Sequence, residues 1–165
     1  MKNAGFELEI CANGYTSVEA AYLGGAHRVE LCDNLAEGGT TPSYGMVKQC
    51  LNDFKIDLFP IIRPRGGNFI YSNREMQIMC SDIEAFKMLG CKGVVIGCLD
   101  KEGNINEVQV KELISAASSM QVSFHRAIDR SNDLFRSLEI LKKLGIKRVL
   151  TSGGQAHAID GLEIL

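Results

Sequence analysis

The sequence predicts a parallel α/β fold closed as a (β/α) barrel, and three observations lead there. First, a helical segment ending in Leu-Gly, two or three short residues and an apolar run recur as LGGAHRVEL from Leu23, LGCKGVVIG from Leu89 and LGIKRVLTSG from Leu144. Each is the αβ half of a βα unit, with Gly24, Gly90 and Gly145 where a helix end needs positive φ. Second, reading outward from these anchors gives strict strand–helix alternation, which implies a parallel sheet with helical crossovers. Third, polar residues gather on one side of the strands at their C-terminal ends, where barrels of this kind build their sites.

Strands are expected near residues 7–11, 28–32, 58–63, 93–97, 122–125 and 148–151. Helices are expected near 17–23, 44–52, 73–89, 106–120 and 133–144, with a last one starting near Ala158. Helix starts are read from capping chemistry: Thr16 or Ser17 with Glu19, Ser72 with Glu75, Asn106 with Gln109, and Asn132 before the amphipathic run Leu134, Leu138, Leu141. The open doubly wound alternative lacks its usual fingerprints, since no GxGxxG follows the first strand and no GxxxxGK[ST] occurs.

The two-residue period of a strand sorts the side chains. Leu8 and Ile10 face the helices, which sends Glu7, Glu9 and Cys11 to the other side. Val29 and Leu31 likewise leave Arg28, Glu30 and Cys32 inside. Two neighbouring strands therefore each present Glu-x-Cys with the cysteine last. In an open sheet covered on both faces these carboxylates would cost several kcal/mol each unless paired; at a barrel mouth they line a polar cavity. Arg63 ends the third strand, and Arg65-Gly66-Gly67 follows. Ser123 and His125 face inward on the fifth with Arg126 at its end, and the sixth closes in Thr151-Ser152-Gly153-Gly154.

Composition narrows the class. Lys plus Arg is 18 against 20 for Asp plus Glu, a net charge of −2, which argues against a bulk nucleic-acid binder. Six cysteines in 165 residues, none in a CxxC pair, argue for reduced thiols rather than a disulfide scaffold or a zinc ribbon. Glu7 and Glu9 interrupt any apolar leader, and no run approaches the roughly 18 residues of a membrane helix. The expected location is the cytoplasm, without nucleic-acid or membrane partners.

The runs VELCDNLAEGGTTPSYG, PIIRPRGGNFIYS, SFHRAID and VLTSGG, in this order and spacing, closely resemble the CutC family of copper homeostasis proteins over nearly the whole chain. The resemblance implies a TIM barrel, a cytoplasmic protein, and a Cu(I) site at the two cysteines matching Cys11 and Cys32. Neighbouring strands lie about 4.8 Å apart and thiolates select Cu(I), so the two sulfurs can share an ion. Glu9 and Glu30 work against it by raising thiol pKa values, which a bound cation or Arg63 would offset.

A second reading uses the same face for catalysis. Glu9, Glu30 and His125 are the proton-transfer candidates, while Arg63, Arg65, Arg126, Ser152 and Gly153 are the candidate ligands for an anionic small molecule. A third reading, a non-catalytic scaffold or a homo-oligomer, would need an exposed apolar patch on the helices. Cys50, Cys80, Cys91 and Cys98 read as packing or surface residues, His27 as structural, and His157 as ambiguous. Finally, six units in 165 residues are about 27 each, so the eight of a full barrel need roughly 220, close to the ~250 typical of the fold. The expectation is one domain spanning 1–165 that lacks a C-terminal part carrying strands seven and eight, because a six-unit piece leaves parallel edges unpaired.

Overall fold

A computed structural model describes residues 6–165 of the chain. Six short strands alternate with five α-helices: β1 Glu9–Ala12, α1 Tyr15–Leu23, β2 Arg28–Leu31, α2 Tyr44–Asp53, β3 Asp57–Pro60, α3 Asn73–Leu89, β4 Gly93–Ile96, α4 Glu107–Ala117, β5 Gln121–Phe124, α5 Leu134–Lys143 and β6 Arg148–Val149. Three-ten turns at Leu35–Glu37, Arg126–Arg130 and Ala158–Gly161 follow β2, β5 and β6. The expected last helix is the third of these turns.

Among the described residues the six strands pair in parallel and in chain order, β1-β2-β3 in one sheet and β4-β5-β6 in another. A single parallel bridge, Ile61 opposite Val95, joins the two, with the Ile62 N–H donating to the Val95 carbonyl at 2.8 Å. The parallel α/β reading thus holds, and the strands succeed one another as a barrel requires.

The alternation inferred for the second and fifth strands is observed, while Leu8 of the first is exposed. Val29, Leu31, Leu58, Ile62, Val94 and Phe124 join helix residues such as Val18, Met79, Ile83 and Leu113 in one large core. Cys32, Phe59, Ile61 and Val95 form a smaller cluster on the opposite face. Each fully buried aliphatic or aromatic side chain contributes about 1.5–3 kcal/mol, so the outer layer carries most of the stability and leaves the inner face free to hold polar groups.

Helix ends explain the recurring Leu-Gly. A bond closing six residues links Ala26 N–H to Ala21 O, Cys91 N–H to Phe86 O and Ile146 N–H to Leu141 O, at 3.0, 3.1 and 3.0 Å. Each encloses a left-handed glycine, and two of the three are those expected: Gly90 at φ 90° and Gly145 at φ 85°. In α1 the residue is Gly25 at φ 81°, whereas Gly24 stays helical at φ −75°. With two glycines in succession, the second takes the strained position.

Two helix starts also differ. Gly14 stands at the α1 cap with no side-chain bond, and Ser17 Oγ instead accepts from Asn13 N–H and donates to Gly14 O. At α5 the cap is Asp133, accepting from Arg136 N–H at 2.9 Å, because the Asn132 amide is committed to the Glu102 carbonyl. The α3 capping box of Ser72 and Glu75 and the Asn106 cap on Gln109 N–H are as expected. Strand β6 has only two residues because Thr151 and Ser152 turn away to bind a side chain of the preceding unit.

Candidate functional site

Register builds the thiol pair. Cys11 lies opposite Glu30 and Ala12 opposite Leu31, so Cys32, one residue past β2, shares the inner face with Cys11. Their sulfurs are 3.8 Å apart. Cys11 is exposed and Cys32 buried, with the Cys32 thiol also 3.5 Å from the Ala12 carbonyl. The bond from Cys32 pulls the Cys11 thiol down to about 7, against burial and the charge of Glu9. The same bond, burial and neighbouring negative charge push Cys32 strongly up. The shared bond therefore eases loss of the pair's first proton and favours the more exposed sulfur, Cys11, as the one that gives it up. The expected opposition from the carboxylates is real but outweighed, and the offset comes from the second sulfur rather than from Arg63.

The two carboxylates differ. Glu9 is paired with Arg28 at 2.7 Å, and Arg28 also meets Glu7 at 2.6 Å. The buried Arg28 guanidinium stacks 4.9 Å from the Phe59 ring, with Arg148 5.6 Å from the same ring. Glu9 is thus a partner in an ion-pair cluster at the N-terminal side of the strands. Glu30 is 6% exposed, and burial, then the charges of Cys11 and Glu9, push its carboxyl up to about 8. It stays protonated at neutral pH.

A group whose pKa is raised on folding favours the native state below its unfolded value and loses that advantage as pH climbs through the folded one. Glu30 therefore costs stability progressively between about pH 4.3, its unfolded value, and pH 8. Glu30→Gln is expected to add about 3 kcal/mol at pH 7 and well under 1 kcal/mol at pH 4.5. Urea unfolding at the two pH values checks this; an equal effect at both would contradict a buried acid.

The arginines fasten loops. Arg63 donates through Nη1 to Glu37 O and Gly39 O at 2.6 and 2.8 Å and through Nη2 to Gly67 O at 2.7 Å, while its guanidinium stacks on Phe69. Arg65 pairs with Glu75 and with the carbonyls of Gly66, Asn68 and Ile70, which draws it to the start of α3. Arg126 donates through Nε to Asp129 at 2.8 Å and through Nη2 to Ser152 Oγ and Gln155 O. Arg63 and Arg126 are brought together at one cavity; Arg65 is not among its walls.

Asp129 was not singled out by sequence. Its carboxylate accepts from Thr151 Oγ1 at 2.6 Å, from the backbone N–H of Ser152 and Gly154, from Ser152 Oγ and from Arg126. The Thr-Ser-Gly-Gly loop, expected to offer N–H groups to a ligand, closes instead on this internal anion. Ser152 is held there, and the Gly153 N–H goes to Thr151 Oγ1 at 3.0 Å. The available signal was the acidic residue three positions after Arg126, within one turn of a strand-end histidine.

His125 is buried at 4% exposure. Its Nδ1 accepts from Ala127 N–H at 3.1 Å, and its ring packs where any side chain on Gly97 would have to go. Burial, reinforced by the charge of Arg63, pushes it down to about 3, so the imidazole is neutral. With Nδ1 accepting, the proton sits on Nε2, and Nε2 is buried without a protein partner.

Two adjoining cavities open at this end. The outer, about 540 Å³, is lined by Glu37, Arg63, Phe69, Arg126, Asp129 and Arg130 among others. The inner, about 280 Å³, is walled by Cys11, Glu30, Ile61, Phe69, His125 and Leu150. Both include Gly38, Phe69 and Arg126. Among the described residues no group of three or more His, Cys, Asp or Glu side chains is arranged to hold a metal ion, so the thiol pair is a two-sulfur feature. Cys50, Cys91 and Cys98 are buried in the outer core and Cys80 is half-buried near Glu112. His27 accepts from Leu8 N–H at 3.0 Å, and His157 precedes the last turn without a capping bond. No described helix is long and apolar enough to cross a membrane.

The model of the CutC family matches residues 6–165. A CutC family protein of Xylella fastidiosa (strain Temecula1) is 49% identical over 158 residues, 96% of this chain and 59% of that protein. The human copper homeostasis protein cutC homolog is 42% identical over 161 residues, 98% of this chain and 59% of its own length. The chain thus spans about three-fifths of these relatives. A crystal structure of CutC from Streptococcus agalactiae superposes with a TM-score of 0.88 at 36% identity, covering 96% of this chain and 79% of that one. A phosphoenolpyruvate phosphomutase from Streptomyces platensis shares the fold alone, at TM-score 0.63 and 15% identity, covering 96% of this chain and 65% of that one. Long motifs, strand order and similarity over nearly all of this chain agree: the chain belongs to the CutC family.

Proposed function

We propose that this chain serves copper homeostasis in the cytoplasm by holding Cu(I), as cargo, between Cys11 and Cys32. The observation that carries the reading is the 3.8 Å sulfur separation, with Cys11 in the wall of the inner cavity and exposed for entry. Thiolate–metal bonds are about 2.3 Å, so one ion reaches both sulfurs. Soft thiolates favour Cu(I) over the hard cations that oxygen ligands select.

The six units are read as the first six of a (β/α)8 TIM barrel within a single domain. The consecutive parallel order supports this, as does the three-fifths share of the relatives' length.

Anaerobic competition for Cu(I) against a chromogenic chelator tests the site. Cys11→Ser and Cys32→Ser are each expected to weaken Cu(I) binding at least tenfold. Unchanged affinity in both variants would overturn the proposal.

A second reading is favoured by the outer cavity: an enzyme acting on an anionic small molecule at the same face. A space of about 540 Å³ lined by Arg63, Arg126 and Arg130 suits a metabolite-sized anion, and His125 and Glu30 line the adjoining cavity.

A further inference from the structure

We infer that Cys11 and Cys32 form a reversible disulfide, closed by a hydroperoxide, that withdraws both sulfurs from Cu(I). The disulfide rests on the sulfur geometry, and its effect on copper rests on the Cu(I) reading of the same pair.

Three observations carry it. The first is distance. The two sulfurs stand 3.8 Å apart on neighbouring parallel strands, so a bond of about 2.05 Å needs an approach of about 1.8 Å. The second is asymmetry. Cys11 is exposed and lines both the inner cavity and an adjoining one of about 210 Å³ beside Glu9 and Ser123. Cys32 is 2% exposed, packed with Phe59, Ile61 and Val95. Gly39 lies over it so closely that an added methyl would stand 3.2 Å from the Cys32 Cβ and 3.5 Å from its sulfur. An oxidant therefore meets Cys11 first, with Cys32 held behind it.

The third is how Cys32 is held. Its N–H donates to the Ala12 carbonyl at 2.9 Å, and Asp33 pairs with Thr40 in an antiparallel bridge. Arg63 Nη1 clamps the covering segment through the Gly39 carbonyl at 2.8 Å. The buried thiol is thus fixed beside its partner, and closure falls to the exposed Cys11 side chain. In the first step the Cys11 thiolate attacks one oxygen of the hydroperoxide. The O–O bond breaks, Cys11 becomes a sulfenic acid, and the other oxygen takes up a proton and leaves as an alcohol, or as water from hydrogen peroxide. The Cys32 sulfur then attacks the Cys11 sulfur: the S–S bond forms, the S–O bond breaks, and the hydroxyl leaves with the Cys32 proton as water. Two thiols lose two electrons and two protons, and the hydroperoxide gains them. A dithiol reductant reverses the bond by exchange.

The test treats the full chain, reduced and desalted anaerobically, with one equivalent of hydrogen peroxide. Free thiols are then alkylated in denaturant and tryptic peptides mapped by mass; cleavage at Arg28 separates Cys11 from Cys32. The expected product is a cross-link between the peptides carrying Cys11 and Cys32, released by dithiothreitol, with Cys50, Cys80, Cys91 and Cys98 alkylated. Cys32→Ser is expected to stop at a Cys11 sulfenic acid that dimedone traps, and Cys11→Ser to leave Cys32 as the thiol. Full alkylation of both residues after peroxide, or a link from Cys11 to another cysteine, overturns the inference whatever the variants do. The oxidised, desalted chain is expected to lose Cu(I) to a chromogenic chelator and to regain it once reduced. A disulfide in a chain that binds no Cu(I) when reduced overturns the copper reading and leaves the disulfide standing. Undiminished Cu(I) binding by the disulfide form overturns the withdrawal of the sulfurs from copper.

Discussion

Asp129→Ala is expected to destabilise the chain by roughly 3 kcal/mol, because it takes the shared acceptor from several donors and each one left buried and unsatisfied costs about 1–3 kcal/mol. The Asp129 side chain is 3% exposed and is the common acceptor for Thr151, Ser152, Gly154 and Arg126. Removing it strands several donors at once and frees the loop that follows β6. Burial raises the Asp129 carboxyl, but the bonds from Thr151, Arg126, Gly154 and Ser152 outweigh burial and hold it below the usual carboxylate range. A depressed carboxylate stabilises the fold above its unfolded value of about 3.9, and that contribution fades as pH falls toward the native pKa. The wild-type chain should therefore lose stability in acid more steeply than the variant does. Guanidinium unfolding at pH 7 and pH 3.5 measures both effects. A loss under 1 kcal/mol at pH 7 would mean that the Thr-Ser-Gly-Gly loop is organised by something else.

The second large effect is expected at Gly93, the first residue of β4. A methyl added there would overlap the Phe59 ring and the backbone carbonyl of Gln121 on β5. The ring has little room to move, because Arg28 and Arg148 both lie against it. Overpacking of a fixed site costs about 3 kcal/mol, which for a chain of this size lowers Tm by roughly 6–12 °C. Differential scanning calorimetry of Gly93→Ala reads it directly. Gly45, with open space around its Cβ position, is the matched control and should shift Tm far less on substitution by Ala. Equal shifts would contradict the close approach of β4 to Phe59.

Much of this arrangement is legible in the sequence because strands obey a strict period of two. Placing Ile10, Val29 and Leu31 toward the helices is enough to put Glu9, Cys11, Glu30 and Cys32 on one face, and parallel pairing then brings the cysteines together. His125 and Ser123 follow from Val122 and Phe124 in the same way. What the pattern cannot supply is the partner of each polar group. Arg63 reads as a ligand-binding cation at a strand end, yet its donors go to carbonyls of two loops, and those contacts span 24 and 26 residues for Gly39 and Glu37. The Gly153-Gly154 loop reads as an open anion nest, and only the fold reveals that Asp129, 25 residues earlier than Gly154, occupies it. Likewise nothing local marks Gly97 as the seat of the His125 ring. Period and capping are short-range properties; the satisfaction of buried donors is settled across units.

The two-sulfur Cu(I) site is the centre of the functional proposal, and X-ray absorption at the copper edge tests it most directly. Protein loaded anaerobically with one equivalent of Cu(I) should show a first shell of two sulfurs and no nitrogen scatterer, and Cys11→Ser should replace one sulfur by a lighter atom or lose the metal. A first shell dominated by nitrogen or oxygen, unchanged in Cys11→Ser, would place copper elsewhere and contradict the account.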